Sequence, residues 1–529
     1  MTSRFLNRLS AWLVTVLAIG PALRVDARGP DVAPLPSVYT ASDVYALAIN
    51  DVPVPVVRYS SDYDYALAAV GDGPSRFRVT RRDGRAMETV TVSPLKLAIK
   101  AQTQGPTATF AFDRPQYLIV EIPGLRRLVI ATDPRETDRP PSTGPGVHNV
   151  TAAPYHADQT GATSASHAVQ AAVNDAAAEP SGKGIVYVPA GVYRLSQLGL
   201  LSNISLYLEA GAVLRCDGEA ADFQKQFRKK SIGHDGFRFI AATGARNVRI
   251  YGRGTIDGNG KAIVKRLGLA NHLLAILNCS DVTLDGVTLR DSGLWGTVIG
   301  NSRNVTLTNT KHFNFLDVGE NDCVDVCNSQ DVTVDRSIAI SLDDPYSAKT
   351  WEPTTDVASQ WPGEFGVCRD VVFNDCVAWT RCFAFKIGAG VLRTQEAIRV
   401  TKAVVYDAAH AIGISHSYGR ADVRGVVFED IDVERIQMDC LGRSWARFMI
   451  DNRNKASTAG GIENVRVRDV NVRDAGRTPV RIEGLNESRT LRDVMFERVR
   501  MPGRDGFART LDDLGVRGTR FAENVSVKP

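Results

Sequence analysis

The chain has 529 residues, with 63 lysines and arginines against 59 aspartates and glutamates, and a formal net charge of +4. This near balance argues against a nucleic-acid partner, because nucleic-acid-binding faces are strongly cationic. The length exceeds that of one ordinary compact domain. We therefore expect either two domains or one elongated repeat structure.

The segment over positions 1–27 has the pattern of a signal peptide. Arg4 and Arg8 precede an apolar run over residues 11–23, and a small-residue cleavage site ends at Ala27. The run is shorter than the roughly 20 apolar residues that cross a bilayer, and no second run follows. We expect a secreted or periplasmic mature protein with no membrane partner once this segment is removed.

Residues 28–140 are predicted to form a small β-sandwich domain. Short runs of alternating apolar and polar residues fill residues 35–135 and are separated by Gly, Pro and Asp. A Pro-rich linker follows over residues 133–147. Helical spacing of apolar residues then predicts a short helix over residues 167–178.

Residues 150–529 are predicted to form a second domain, built from repeats. A polar pair followed by alternating β-branched residues recurs eight times between residues 246 and 499. Val305 and Val332 mark equivalent places in two successive units, and their spacing is typical of solenoid repeats. No crossover helix separates the units. We therefore predict an all-β chain with a right-handed parallel β-helix behind the N-terminal sandwich, rather than a propeller, whose antiparallel blades are longer.

Four aspartates carry the candidate chemistry: Asp322, Asp325, Asp343 and Asp344. The separation of Asp322 and Asp343 along the chain is close to one coil, so the two sites should lie on neighbouring rungs. Repulsion between close carboxylates raises the pKa of one of them and keeps a proton available for general acid catalysis. Glycosidic bond hydrolysis uses such a pair of carboxyl groups.

Each aspartate taken singly fits a turn residue, since Asp and Asn are common at β-helix turns. As a cluster with Lys349 as counter-charge, they favour catalysis. No phosphate-binding Gly loop and no metal-ligand spacing accompanies them, so we expect no cofactor and no metal. The eight cysteines favour one or two disulfides over a zinc site.

The chain resembles glycoside hydrolase family 28, the polygalacturonase-like enzymes, and more distantly family 49, the dextranase and isopullulanase group. The resemblance covers about residues 154–500. The segment over residues 250–258 is similar to the family's Gly-x-Gly-x-Ile-Asp-Gly turn. Asp322 and Asp325 match the aspartates of its Asn-Thr-Asp-Gly-x-Asp motif, while Asp343, Asp344 and Lys349 match its Asp-Asp-x-x-x-x-Lys motif.

The resemblance implies an inverting glycosidase that acts on a polysaccharide. Asp343 would be the general acid, whereas Asp322 and Asp344 would hold and activate the water. The residues alone leave open which aspartate has which role. Asp325 and Lys349 are carried over as substrate-binding positions.

The chain departs from the family at several places. Glu320 and Asn321 stand where the family has Asn-Thr, and Leu342 and Pro345 flank the aspartate pair where it has Gly and Cys. Two further departures bear on the substrate. Residues 382–384 (Cys-Phe-Ala) stand where the family has Gly-His-Gly, and its Arg-Ile-Lys segment has no clear counterpart, the nearest being residues 413–418. Lys386, His416 and Tyr418 are further candidates for substrate binding, because sugar sites combine aromatic faces with a few polar groups. Pectin and a neutral glycan such as dextran or pullulan both remain candidate substrates.

Two other classes of function compete with hydrolysis. A polysaccharide lyase on the same scaffold would use the acid cluster to bind calcium, which Lys349 opposes. A non-catalytic β-helix that binds carbohydrate would have no need for four acids and a lysine in the short segment over positions 322–349. The sugar, the linkage, endo or exo action and the oligomeric state are not predicted.

Overall fold

The computed structural model describes residues 28–451 and 460–529. The predicted signal peptide lies outside the described residues. In the two described segments, no helix combines the length and apolarity that a bilayer crossing requires.

The first part of the chain forms a β-sandwich, as predicted. Its strands are β1 (Tyr45–Ile49), β2 (Val52–Val54), β3 (Val56–Val57), β4 (Tyr63–Val70), β5 (Ser75–Arg81), β6 (Thr91–Ser93), β7 (Gln102–Gln104), β8 (Thr107–Phe112), β9 (Tyr117–Glu121) and β10 (Arg127–Pro134). They make two five-stranded sheets, in the orders β2-β1-β5-β8-β7 and β3-β4-β10-β9-β6. Apolar residues of both sheets share one core, which includes Phe77 and Leu118.

The remaining strands coil into a parallel β-helix with two long sheets. The first sheet contains β11 (Val147–Asn149), β12 (Thr160–Ser164), β13 (Gly184–Val188), β14 (Gly191–Leu195), β16 (Ile204–Leu208), β17 (Ala212–Cys216), β20 (Arg246–Gly252), β21 (Thr255–Asp257), β23 (Ser280–Asp285), β24 (Thr288–Arg290), β26 (Arg303–Thr308), β27 (Lys311–Phe313), β29 (Gln330–Ser341), β31 (Cys368–Thr380), β33 (Gln395–Thr401), β34 (Val404–Asp407), β36 (Val423–Val433), β38 (Ile462–Val472), β40 (Leu491–Glu497) and β42 (Ala522–Lys528).

The second sheet supports the candidate site. It contains β15 (Leu198–Leu200), β19 (His234–Thr243), β22 (Leu269–Leu277), β25 (Thr297–Gly300), β28 (Val324–Cys327), β30 (Tyr346–Thr350), β32 (Phe383–Val391), β35 (His410–Tyr418), β37 (Ser444–Ile450), β39 (Val480–Glu483) and β41 (Val516–Arg520). A short strand, β18 (Phe227–Lys229), pairs antiparallel with β19.

Each copy of the repeated sequence pattern occupies the same position in its rung of the coil. Its first β-branched residues stack in register from rung to rung and are buried: Val248, Val282, Val305, Val332, Val371, Val426, Val465 and Val494. Ile398, on a rung outside the predicted repeats, continues the stack between Val371 and Val426. Before the valine comes an Asn or Asp with positive φ, as in Asn304 and Asp331. Asn and Asp tolerate this left-handed conformation best among non-glycine residues, so the polar pair marks a bend in each rung.

Two α-helices accompany the coil within the described segments. The predicted helix is α1 (Ser166–Ala177), whose buried face includes Val169 and Val173 and packs on the first rungs. It covers an end where unpaired strand edges would otherwise be open to other chains. The second, α2 (Gly260–Leu267), was not predicted from the sequence and lies just before β22.

The sandwich docks on the outside of the first sheet of the coil. An apolar cluster joins tyrosines of the sandwich to Phe313, Ile340 and Trp379 of the coil. The hydroxyls of Tyr59 and Tyr63 donate to the carbonyls of Phe313 and Asn314, at 2.7 and 2.9 Å. This contact lies just upstream of the first predicted catalytic residue.

Candidate active site

Two neighbouring rungs of the second sheet bring the aspartates together. Parallel pairing aligns Val324 of β28 with Tyr346 of β30, so the residues two places earlier, Asp322 and Asp344, occupy equivalent positions. The backbone N–H of Cys323 donates to the carbonyl of Asp344 at 3.1 Å and joins these two approaches. Adjacent strands are about 4.8 Å apart, which makes the two carboxylates close neighbours.

A cleft of about 780 Å³ opens over these rungs. Of the eight site residues predicted from the sequence, six line it: Asp322, Asp343, Asp344, Lys349, Lys386 and Tyr418. The cleft wall also contains Lys229, Lys230, Trp295, Glu320, Trp351, Glu352, Asp356 and Arg420. A concave site with convergent acids, bases and aromatic rings suits a carbohydrate substrate.

Asp343 combines partial exposure with a strongly perturbed ionisation. Desolvation is the largest cause that raises its pKa well above the usual range, and the negative charges of Asp322 and Asp344 raise it further. The side-chain oxygen of Asn321 accepts hydrogen bonds from the backbone N–H groups of Leu342 and Asp343, at 2.9 and 3.3 Å. Asn321 thus fixes the turn that carries Asp343.

The other two predicted catalytic aspartates, Asp322 and Asp344, each form an ion pair with a lysine. The ammonium of Lys349 pairs with Asp322 and lies 2.7 Å from an oxygen of Asp325. The ammonium of Lys386 lies 2.7 Å from Asp344. Within the described chain, no such ion pair joins Asp343 to a cation.

Asp325 and His416 are not among the residues that line the cleft. Asp325 is fully buried on β28, where it also accepts a hydrogen bond from Ser347. His416 is fully buried on β35, and its Nε2 pairs with the carbonyl of Ala421 at 2.8 Å. Both side chains therefore sit behind the cleft wall, Asp325 as a partner of Lys349 and His416 as a support for the turn after β35.

One group of potential metal ligands occurs among the described residues. Single atoms of Asp343, Asp344 and Cys382 lie within 4.8 Å of one another. The ammonium of Lys386 already pairs with Asp344 and competes with a cation there. This arrangement fits proton transfer better than metal binding.

Sequence reasoning identified Tyr418 but missed the two tryptophans of the cleft, Trp295 and Trp351. Trp295 stands two residues before β25, in the same place as Asp322 and Asp344 on the next rungs. The Lys349 ammonium lies 4.2 Å from its ring centroid, and the ring of Trp351 stacks at 6.4 Å. Trp295, Asp322 and Asp344 each stand two residues before aligned strand positions, and this shared spacing is the signal that could have identified Trp295.

Comparison with known proteins agrees with the motifs. The model for "Glycosyl hydrolases family 28" matches residues 182–358, a segment that contains all three predicted catalytic aspartates. An exo-poly-alpha-D-galacturonosidase from Dickeya chrysanthemi is 36% identical over 126 residues, which are 22% of this chain and 20% of that protein. The match thus spans about a fifth of the curated relative. The predicted resemblance to family 28 is confirmed, and these matches support a glycoside hydrolase.

Two solved structures share the fold. A family 28 exopolygalacturonase from Yersinia enterocolitica has a TM-score of 0.52 and 17% identity, covering 95% of this chain and 100% of that one. Dex49A from Penicillium minioluteum has a TM-score of 0.55 and 11% identity, covering 94% of this chain and 96% of that one. The predicted right-handed parallel β-helix with an N-terminal β-rich region is confirmed.

Proposed function

We propose that this family 28-like chain hydrolyses α-glycosidic bonds of a polysaccharide with inversion at the anomeric carbon, using Asp343 as acid and Asp322 and Asp344 as bases. One observation carries the assignment: of the three predicted catalytic aspartates in the cleft, Asp322 and Asp344 each have a lysine partner, whereas Asp343 has none in the described chain. The carboxyl group without a lysine, Asp343, has the raised pKa that a general acid needs.

The proposed reaction is a single displacement. The Asp343 carboxylic acid gives its proton to the glycosidic oxygen as the bond from that oxygen to the anomeric carbon breaks. Asp322 and Asp344 orient a water on the opposite face of the sugar, and one of them takes its proton as the new C–O bond forms. Lys349 and Lys386 pair with these two acceptors and hold their carboxylates in place.

For the substrate we favour an α-linked galacturonate polymer. The curated relative is an exo-poly-alpha-D-galacturonosidase, and the cleft wall holds further cationic groups besides the two lysines that pair with the aspartates. Lys230 is exposed, and Arg420, also exposed, lies 3.5 Å from Glu352. Either cation can approach a sugar carboxylate. A neutral glycan is the alternative, since the rings of Trp351 and Tyr418 could also stack on an uncharged pyranose.

A substrate panel tests this proposal. The protein is incubated with polygalacturonate, rhamnogalacturonan, dextran, pullulan and arabinan, and new reducing ends are measured. We expect release from polygalacturonate, with the inverted anomer appearing first by NMR. An unsaturated product that absorbs in the ultraviolet would replace hydrolysis by a lyase reaction.

The variant Asp343→Asn tests the general acid. Asn keeps the shape of the side chain but cannot supply the proton, so kcat should fall by about 10² to 10⁴. The matched control is Asp317→Asn, an exposed aspartate paired with Lys261 outside the cleft wall, which should retain full activity. Equal activity of the two variants would refute the assigned role.

Export is also proposed, on the basis of the N-terminal pattern. The expected mature protein begins near Arg28 and accumulates outside the cytoplasm. N-terminal sequencing of protein recovered from the medium or periplasm of the source cell checks this. An intact Met1 in that fraction would contradict cleavage.

A further inference from the structure

We infer that Cys382 and Cys440 form a disulfide that ties a loop of the coil to the wall beside the catalytic aspartates. Their sulfur atoms are 2.9 Å apart, across 58 residues of sequence. Cys382 follows β31 and is buried, whereas Cys440 is half-buried in the loop of residues 434–443 between β36 and β37. This bond would form whether or not the chain hydrolyses a polysaccharide.

The other six cysteines have a different environment. They are Cys216, Cys279, Cys323, Cys327, Cys368 and Cys376, all buried in or beside rung strands. Several donate their thiol to a backbone carbonyl of a neighbouring rung, as Cys279 does to Ala242 at 3.4 Å. Burial also raises the pKa of Cys323, Cys327, Cys368 and Cys376, which keeps them as unreactive thiols.

The two cysteines differ in reactivity, as thiol–disulfide exchange requires. The hydrogen bond from Cys382 lowers the pKa of Cys440 to about 7, so Cys440 is the nucleophile and the more accessible of the two. Its thiolate attacks a low-molecular-weight disulfide, such as oxidised glutathione, and displaces one glutathione thiolate. The Cys382 thiolate then attacks the Cys440 sulfur and displaces the second. Two thiol protons and two electrons pass to glutathione as the new S–S bond forms.

The bond would anchor the middle of the loop. Residues at its ends are already held: the backbone N–H of Gln437 donates to Asp407, and that of Arg443 donates to Thr478. Between them, Asp439 and Leu441 are exposed, the latter by 59%. The Cys382 sulfur lies within 4.8 Å of a carboxylate oxygen of Asp343 and of Asp344. The disulfide would therefore hold the loop next to these two aspartates.

Thiol counting on the full chain tests the inference. The purified protein is equilibrated with oxidised glutathione, unfolded in an alkylating reagent without reductant, and weighed by mass spectrometry. Six cysteines should be alkylated, and a digest should contain one cross-linked peptide that joins Cys382 to Cys440. Eight alkylated cysteines, or a cross-link between other positions, would overturn it.

Two variants sharpen the result. In Cys440→Ser all seven remaining cysteines should be alkylated, whereas in the matched control Cys279→Ser five should be alkylated and the cross-link retained. Hydrogen exchange on the unmutated protein gives a second measurement. Reduction should speed exchange in residues 434–443 and leave β31 unchanged; equal exchange in the oxidised and reduced protein would refute the tether.

Discussion

At the residue scale, the site depends on how two lysines divide three negative charges. Lys349 forms ion pairs with Asp322 and the buried Asp325, and Lys386 forms one with Asp344. For Asp343, the loss of water and the repulsion of Asp322 and Asp344 outweigh the more distant attraction of Lys386 and Lys349, and its pKa is raised. Ionising it in the folded protein is therefore unfavourable, which links its proposed role as the acid to a cost in stability.

The same variant that removes the acid should stabilise the fold at neutral pH. The folded-state pKa of Asp343 is raised, so its contribution to stability is present below the unfolded pKa of about 4 and is lost as pH rises through the folded value. We expect Asp343→Asn to gain on the order of 1 to 3 kcal/mol near neutral pH and nothing in acid. Denaturant midpoints at several pH values measure the difference. A gain that is independent of pH would contradict this origin.

Lys386 should set the pH range of activity. Its positive charge lowers the pKa of Asp343, so its removal in Lys386→Met should raise that pKa. The limb of the kcat/KM profile that reports loss of the Asp343 proton should move to higher pH, by about one pH unit. Lys230→Met is the control, since this cleft lysine contacts none of the three aspartates in an ion pair within the described chain. A profile that stays in place in Lys386→Met would show that the lysine does not control the acid.

At the element scale, the sequence predicted the rungs well because one local rule repeats. A residue with positive φ bends the chain, and the β-branched residue after it enters the core, as in Asn464 and Val465. The aspartates could be placed on adjacent rungs because their spacing is close to one coil. The burial of His416 could not be foreseen, since it depends on the turn that brings Ala421 back to the ring.

One rung breaks the local rule. Ala397 occupies the bend position with φ of 53° and is exposed, where other rungs have Asn, Asp or Gly. A left-handed conformation costs an ordinary L-residue roughly 1 to 2 kcal/mol, and this free-energy cost is smaller for Asn. Ala397→Asn should therefore raise the denaturant midpoint by an amount equivalent to about 1 kcal/mol. The reverse change at an equivalent bend, Asn464→Ala, should lower it, and midpoints that move in the same direction would contradict the rule.

At the scale of the whole molecule, the sandwich and the coil share a buried contact rather than a loose linker. Arg290 of β24 is 7% exposed and lies between sandwich and coil. It donates to the hydroxyl of Tyr65 at 2.7 Å and lies over the rings of Tyr39 and Tyr59, at 4.1 and 4.4 Å from their centroids. Its Nε is 3.5 Å from the buried Asp257, which also accepts from Tyr39 at 2.8 Å. Together with the apolar cluster that joins the two parts, this buried contact couples the sandwich to the coil.

The contact predicts that both parts unfold together and that Arg290 controls the transition. Calorimetry of the full chain should show one main transition. Arg290→Met leaves the buried Asp257 carboxylate without one of its cations. The free energy of unfolding should therefore fall by about 3 to 5 kcal/mol, and the transition should shift to lower temperature. Arg303→Met, an exposed position on β26, should change it little. Two separate transitions in the unmutated protein, or equal midpoints for the two variants, would show that the sandwich is held by its linker and not by this interface.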